Sequence, residues 1–137
     1  MTAVPESTDI TLREGLDGLT PARIATLYRR APLLRQTDNA DQLQQAFEAT
    51  QLVLSAWQAD RLIGLARVLT DGVQVAYLCD LAVEPDVQGL GIGKQLINEV
   101  MARCEGAELV LRDSNLSTGF YEHLGFQPIE NGWVHQA

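Results

Sequence analysis

Residues 88–93 read Gln-Gly-Leu-Gly-Ile-Gly, and Lys94 follows. Glycines at alternate positions let backbone N–H groups approach an anion closely. The segment lies between two stretches of different period. Residues 75–83 are compact and largely apolar, with strand character. Residues 94–104 carry Leu96, Ile97, Val100, Met101 and Cys104 on one face of an amphipathic helix. A glycine turn that opens a helix adds unpaired N–H donors and the positive end of the helix dipole. Such a site holds a diphosphate without an arginine cluster, and Lys94 is the basic side chain nearby. A Walker A loop is excluded, because Gln88 and Gln95 stand where it needs Gly and a hydroxyl. A dinucleotide fingerprint is excluded because the spacing is G-x-G-x-G rather than G-x-G-x-x-G. The pattern present is Q-x-x-G-x-G, from Gln88, Gly91 and Gly93. Taken alone, it also fits a strand–helix connection with no ligand.

A second block follows at residues 109–126. Leu109-Val-Leu111 reads as a strand, Asn115 comes next, and then Phe120-Tyr121-Glu-His-Leu-Gly125-Phe126. Ser114 or Ser117 can cap a short helix here, and Gly125 suits its left-handed C-terminal position. Phe120 and Leu124 are four apart and face the core together, which aims Tyr121 elsewhere. Standing alone, Tyr121 is an ordinary half-buried aromatic.

Together the two blocks, with Asp80-Leu-Ala-Val-Glu-Pro85 before the glycine loop, resemble the GNAT acetyltransferase superfamily over residues 61–126. The resemblance implies acetyl-coenzyme A as cosubstrate, with Gln88, Gly89, Leu90, Gly91, Ile92, Gly93 and Lys94 around its diphosphate. It gives the Leu81 N–H the task of polarising the thioester carbonyl, and Val83 and Asn115 the pantetheine arm. Tyr121 becomes the general acid for the departing thiolate. Asp80, with Glu84 behind it, becomes the candidate for taking the proton of the attacking amine. The acceptor pocket falls to the first helix, the loop after it and the chain's last hairpin, with Tyr28, Arg35, Asp80 and Trp133 as substrate-binding candidates. The implied reaction is direct acetyl transfer, in a ternary complex, to a primary amine of a small molecule or peptide. A non-catalytic acyl-coenzyme A-binding module is the alternative, and a nucleotide binder using the same loop is a third reading.

Composition bounds the rest. At 137 residues and 46% hydrophobic, the chain reads as a single globular domain, with residues 1–8 a loose polar arm. A net charge of −8 argues against nucleic acid as a partner. No apolar run reaches membrane-spanning length, and the expectation is a cytoplasmic protein without a membrane partner. Cys79 and Cys104 read as small buried hydrophobes, no CxxC or His cluster suggests a metal, and His123 reads as exposed. A homodimer is left open.

Several elements must position these residues. Residues 9–14 alternate as a strand. Thr20-Pro21 opens a helix to about Arg30, a loop covers 32–39, and a second helix covers 40–49. Strands follow at 51–58 and 61–70 across a tight Ala59-Asp60 turn, and Asp71-Gly72 leads into a strand at 73–83. After the Tyr121 helix, residues 126–129 and 133–135 read as a hairpin across Asn131-Gly132. The fold class is α/β, a GNAT fold with a mixed central sheet, order β-α-α-β-β-β-α-β-α-β-β. The resemblance adds splayed central strands.

Overall fold

The computed structural model describes residues 9–113 and 119–136. Its elements in chain order are β1 (Thr11–Glu14), α1 (Pro21–Arg30), α2 (Ala40–Glu48), β2 (Leu52–Gln58), β3 (Arg61–Thr70) and β4 (Val75–Val83). A single 3₁₀ turn (Pro85–Val87) precedes α3 (Ile92–Arg103), β5 (Glu108–Leu111) and α4 (Phe120–His123). The sheet runs β1-β2-β3-β4-β5, antiparallel until the parallel β4–β5 pair that α3 connects.

Local chemistry explains the starts and stops. The Thr20 hydroxyl accepts the Arg23 N–H at 3.2 Å and Pro21 stands at the first helical position. Asn39 caps α2 by accepting the Gln42 N–H at 3.1 Å. The Asp71 carboxylate accepts the N–H groups of Val73, Gln74 and Val75, so the turn lasts longer than expected and β4 begins at Val75. Ala59 takes φ 53° in the tight β2–β3 turn.

Each face of the sheet has its own core. On one face α3 packs Ile92, Leu96, Ile97 and Val100 onto Leu54, Ala56, Ile63 and Val68. Gly64 makes the close approach possible, because a Cβ there would lie 3.0 Å from side-chain carbons of both Ile92 and Leu96. On the other face α1 and α2 pack Ile24, Leu27, Tyr28 and Phe47 onto Val53, Trp57, Leu65 and Ala82.

Two features of β4 matter for the site. Arg67 pairs with Asp80 but Val68 pairs with Leu78, so Cys79 is an extra residue, a β-bulge. A bulge reverses which face later side chains occupy. Ala76 and Leu78 join the α3 core, whereas Ala82 joins the α1–α2 core and Asp80 meets Tyr28 of α1. Without the bulge, Asp80 would point into an apolar layer. The second feature is the end of pairing with β5. The parallel ladder covers only Val75–Leu78 against Glu108–Leu111, and β4 runs on to Val83 paired with β3 but not with β5. The central strands therefore part as expected.

The end of the chain departs from the sequence reading. Among the described residues, 126–136 form no strand, and the order closes at α4. Pro128 supplies a physical reason, since it removes a ladder donor from the middle of a four-residue arm. The remaining arm is too short to hold a hairpin by itself.

Candidate active site

The gap between β4 and β5 opens into a cleft of about 540 Å³. Its walls include Leu81 and Val83 of β4, Gln88, Gly89, Gly91, Ile92, Gly93 and Lys94 of the loop and α3, and Phe120 and Tyr121 of α4. One run of sequence thus contributes both the strand wall and the helix N-terminus.

The backbone supplies donors on both walls. The Glu84 N–H bonds to the Ile63 carbonyl at 2.9 Å, across toward β3. Antiparallel strands alternate the direction of their N–H groups. Those of Val83 and Leu81 therefore point the other way, into the cleft, beyond the last β5 pair. At the loop, Gly89 and Gly91 take φ of 94° and 80°, in the left-handed region. A Cβ built on either would meet nothing within 4 Å, so the backbone of the loop is uncovered on that side. The first intrahelical bond runs from the Gln95 N–H to the Gly91 carbonyl at 2.9 Å. The N–H groups of Ile92, Gly93 and Lys94 thus open α3 without intrahelical acceptors. Such an arrangement can hold an anion, and Lys94 and Arg112 are the basic side chains that line the cleft. Leu90 is exposed and lies outside the cleft lining.

Tyr121 is half-buried, edge-on to Phe120 (ring centroids 4.9 Å apart) and Phe126 (5.6 Å). Burial, and secondarily the Asp113 charge, pushes its phenol up to about 12, so it stays protonated at working pH. Gly119, at φ 76°, occupies the N-cap position of α4, and Gly125 is left-handed as expected. Ser114, Asn115 and Ser117 lie outside the described residues.

The acidic candidates sit elsewhere. Asp80 is 2% exposed, on the α1–α2 face. One carboxylate oxygen accepts the Arg35 Nε–H at 2.6 Å; the other accepts the Arg67 Nε–H at 2.6 Å and the Tyr28 hydroxyl at 2.8 Å. Glu84 is 4% exposed, accepts the Arg30 Nε–H at 2.5 Å and lies 3.6 Å from Arg61. Neither lines the cleft. Both carboxylates are ion-paired with guanidinium groups.

The acceptor candidates divide. Tyr28, Arg35 and Asp80 converge around a small cavity of about 190 Å³, against Phe47 and Arg67. Tyr28 is 1% exposed, and burial, followed by the Asp80 carboxylate, raises its phenol well above the ordinary value. Its ring packs in the core, tilted against Phe47, and borders the cavity. Trp133 is 97% exposed and lines none of the cavities described here, so its pairing with Tyr28 across one pocket is not formed.

The cleft lining also holds residues that the sequence reading did not place in the site, Cys79, Arg112 and Leu33 among them. Cys79 enters through the bulge, a pairing property with no local signal. Its thiol is raised by burial, which opposes a nucleophilic thiolate. Arg112 and Leu33 also line the cleft, and Arg112 is legible as the basic residue that directly follows β5. Among the described residues, no group of three or more His, Cys, Asp or Glu side chains gathers to hold a metal, and no helix is long and apolar enough to cross a membrane.

The sequence profile of the acetyltransferase (GNAT) domain matches residues 22–135. The chain belongs to the GNAT acetyltransferase family. Among curated relatives, it is 29% identical to serotonin N-acetyltransferase 2, chloroplastic, of Oryza sativa subsp. japonica, over 84% of this chain and 60% of that protein. It is also 29% identical to glucosamine 6-phosphate N-acetyltransferase of Trypanosoma brucei brucei, over 84% of this chain and 74% of that protein. The chain spans 60%, 30% and 40% of three of its curated plant and algal relatives. Among solved structures, a Staphylococcus aureus protein called a probable acetyltransferase superimposes with TM-score 0.82 at 20% identity, over 94% of this chain and 99% of that one. An aminoglycoside N-acetyltransferase in complex with coenzyme A gives TM-score 0.73 at 19% identity, over 98% and 99%. At these identities the structures speak for the GNAT fold alone.

Proposed function

We propose that this chain is an N-acetyltransferase that moves the acetyl group of acetyl-coenzyme A to a primary amine by direct attack. The observation that carries the proposal is the joining of the β4–β5 gap, with its cleft-facing Leu81 and Val83 N–H groups, to the amide cradle of residues 88–94. A thioester with a long amide-containing arm and a diphosphate matches both ends of that cleft. Acetyl-coenzyme A supplies the activated acetyl group when bound.

The chain's own residues have separable tasks. The Leu81 N–H donates to the carbonyl oxygen as negative charge develops there. The Val83 N–H donates to an amide of the arm, and the amides of Gly91, Ile92 and Gly93 face the diphosphate, with Lys94 balancing charge. The Tyr121 hydroxyl gives its proton to the departing sulfur. A protonated phenol in the cleft favours turnover over passive binding. Cys79, held as a thiol by burial, favours direct attack over an acetyl-enzyme. With Asp80 and Glu84 committed elsewhere, the amine loses its proton to solvent. A cytoplasmic setting remains part of this proposal, and a homodimer remains an open assembly.

The test is thiol release from acetyl-coenzyme A across a panel of amines, amino acids, aminoglycosides, polyamines and lysine peptides. Release that depends on both protein and amine supports the reading. Saturable coenzyme binding with no release across the panel refutes turnover in favour of a binding module.

A further inference from the structure

The cavity on the α1–α2 face is electrostatically incomplete. Its walls include Arg35, Arg67 and Asp80, with the amide side chains of Gln36 and Gln42. Two guanidiniums therefore face one carboxylate. Asp80 is the one carboxylate paired with either arginine among the described residues. The Arg67 side chain is 13% exposed and that of Asp80 1%, while that of Arg35 is 41% exposed, so the cavity's second guanidinium stands at its solvent side, open to an incoming anion. Donor capacity is in excess too. A guanidinium has five N–H donors. The bonds to Asp80, the Cys79 carbonyl and Thr50 use two on each arginine.

The cavity also lies beside the reaction path. Asp80 lines it, while Cys79, the preceding residue, lines the coenzyme cleft. Neighbouring Cα atoms are about 3.8 Å apart, so the two spaces share a wall one peptide thick. Arg35 spans that wall, with Nε on Asp80 and Nη2 on the Cys79 carbonyl at 2.8 Å. At about 190 Å³ the cavity is smaller than the roughly 300–1,000 Å³ of drug-sized sites, which suits a small metabolite.

We infer that this cavity is the acceptor site, and that its ligand is a small amino acid whose carboxylate bridges Arg35 and Arg67. Its amine then lies on the bulge side, toward the β4–β5 gap. The second carboxylate balances the second guanidinium, and charge-assisted hydrogen bonds fix the orientation. Gln36 and Gln42 contact the remaining polar atoms, and Phe47 forms the apolar wall. The inference rests on the acetyltransferase reading for what happens to the amine, but not for the binding itself.

The test uses matched pairs: L-alanine, L-serine, L-threonine and L-leucine, each beside its carboxamide. The full chain, saturated with acetyl-coenzyme A, is titrated calorimetrically with each probe, and thiol release is followed in parallel. At least one free acid should bind about tenfold or more tighter than its carboxamide. That preference should vanish in Arg67→Gln. It should also vanish in Ala46→Leu, which fills the cavity from α2 without touching a charge and leaves coenzyme affinity unchanged. Equal affinity for acid and amide overturns the inference. So does a preference that survives both variants, or failure of every acid to bind while other amines release thiol; that last result leaves the acetyltransferase reading intact. Binding of an acid with the expected variant response but no thiol release upholds the site and refutes turnover instead.

Discussion

Asp80 shows how environment decides what a carboxylate does. Its position on β4, next to Leu81, suggests a base. Its neighbours make it the hub of an ion-pair network joining α1, the loop after it, β3 and β4. Asp80→Asn removes the charge and leaves two guanidiniums facing each other. Breaking a buried pair from one side costs about 3–5 kcal/mol. The variant should lose stability of that order in denaturant titrations at neutral pH. A loss under about 1 kcal/mol would make the network dispensable. Tyr121 should behave in the opposite way. Tyr121→Phe keeps the packing against Phe120 and Phe126, so stability and coenzyme affinity should barely change. Its kcat should fall about tenfold to a hundredfold, less than the upper range for a positioned acid, because a thiolate leaves fairly well unaided. With the phenol pushed up to about 12, the Tyr121-dependent part of kcat should stay flat to about pH 10, because the donor keeps its proton. An alkaline fall centred near pH 8, present in wild type and absent in Tyr121→Phe, would contradict the raised phenol, and full kcat in Tyr121→Phe would contradict the acid assignment itself.

Elements set how precisely those residues meet. The N-terminus of α3 is held over the cleft by its packing on β3, where Gly64 lets the helix sit low. Gly64→Val would push its new methyls into Ile92 and Leu96. Overpacking of this kind costs about 1–3 kcal/mol. The helix should lift, and coenzyme affinity should fall together with stability. Full affinity in a folded Gly64→Val protein would uncouple helix seating from the site. At this scale the sequence was legible where chemistry is local. The Gln88–Gly93 spacing, the Thr20-Pro21 cap and the Gly125 stop each act within a few residues, and each lies where expected. The bulge at Cys79 was not legible, because it exists only in the pairing of β3 with β4. Hence the sequence placed Asp80 at the reacting strand without revealing its face. The closing hairpin does not form because the Asn131-Gly132 turn signal is local, whereas Pro128 withholds the ladder donor that the arm before it needs.

At the scale of the whole molecule, one sheet separates two tasks. In the proposed reaction the α3 face and the β4–β5 gap form the coenzyme side. The α1–α2 face carries the arginine-lined cavity, and the bulge is where the two meet. Charge is distributed accordingly: the chain is −8 overall, yet Lys94, its sole lysine, stands at the coenzyme cradle. Coenzyme binding must then depend on backbone donors, whose geometry requires the left-handed Gly91. The most direct measurement is a calorimetric titration of acetyl-coenzyme A into wild type and Gly91→Val. The variant adds a β-branched side chain at φ 80°, a local strain of about 1–2 kcal/mol, in the space where the diphosphate would sit. The wild type should bind one coenzyme per chain, and the folded variant should bind at least about tenfold more weakly. No binding by the wild type, or equal affinity in a folded Gly91→Val protein, would contradict the cradle and the function built on it.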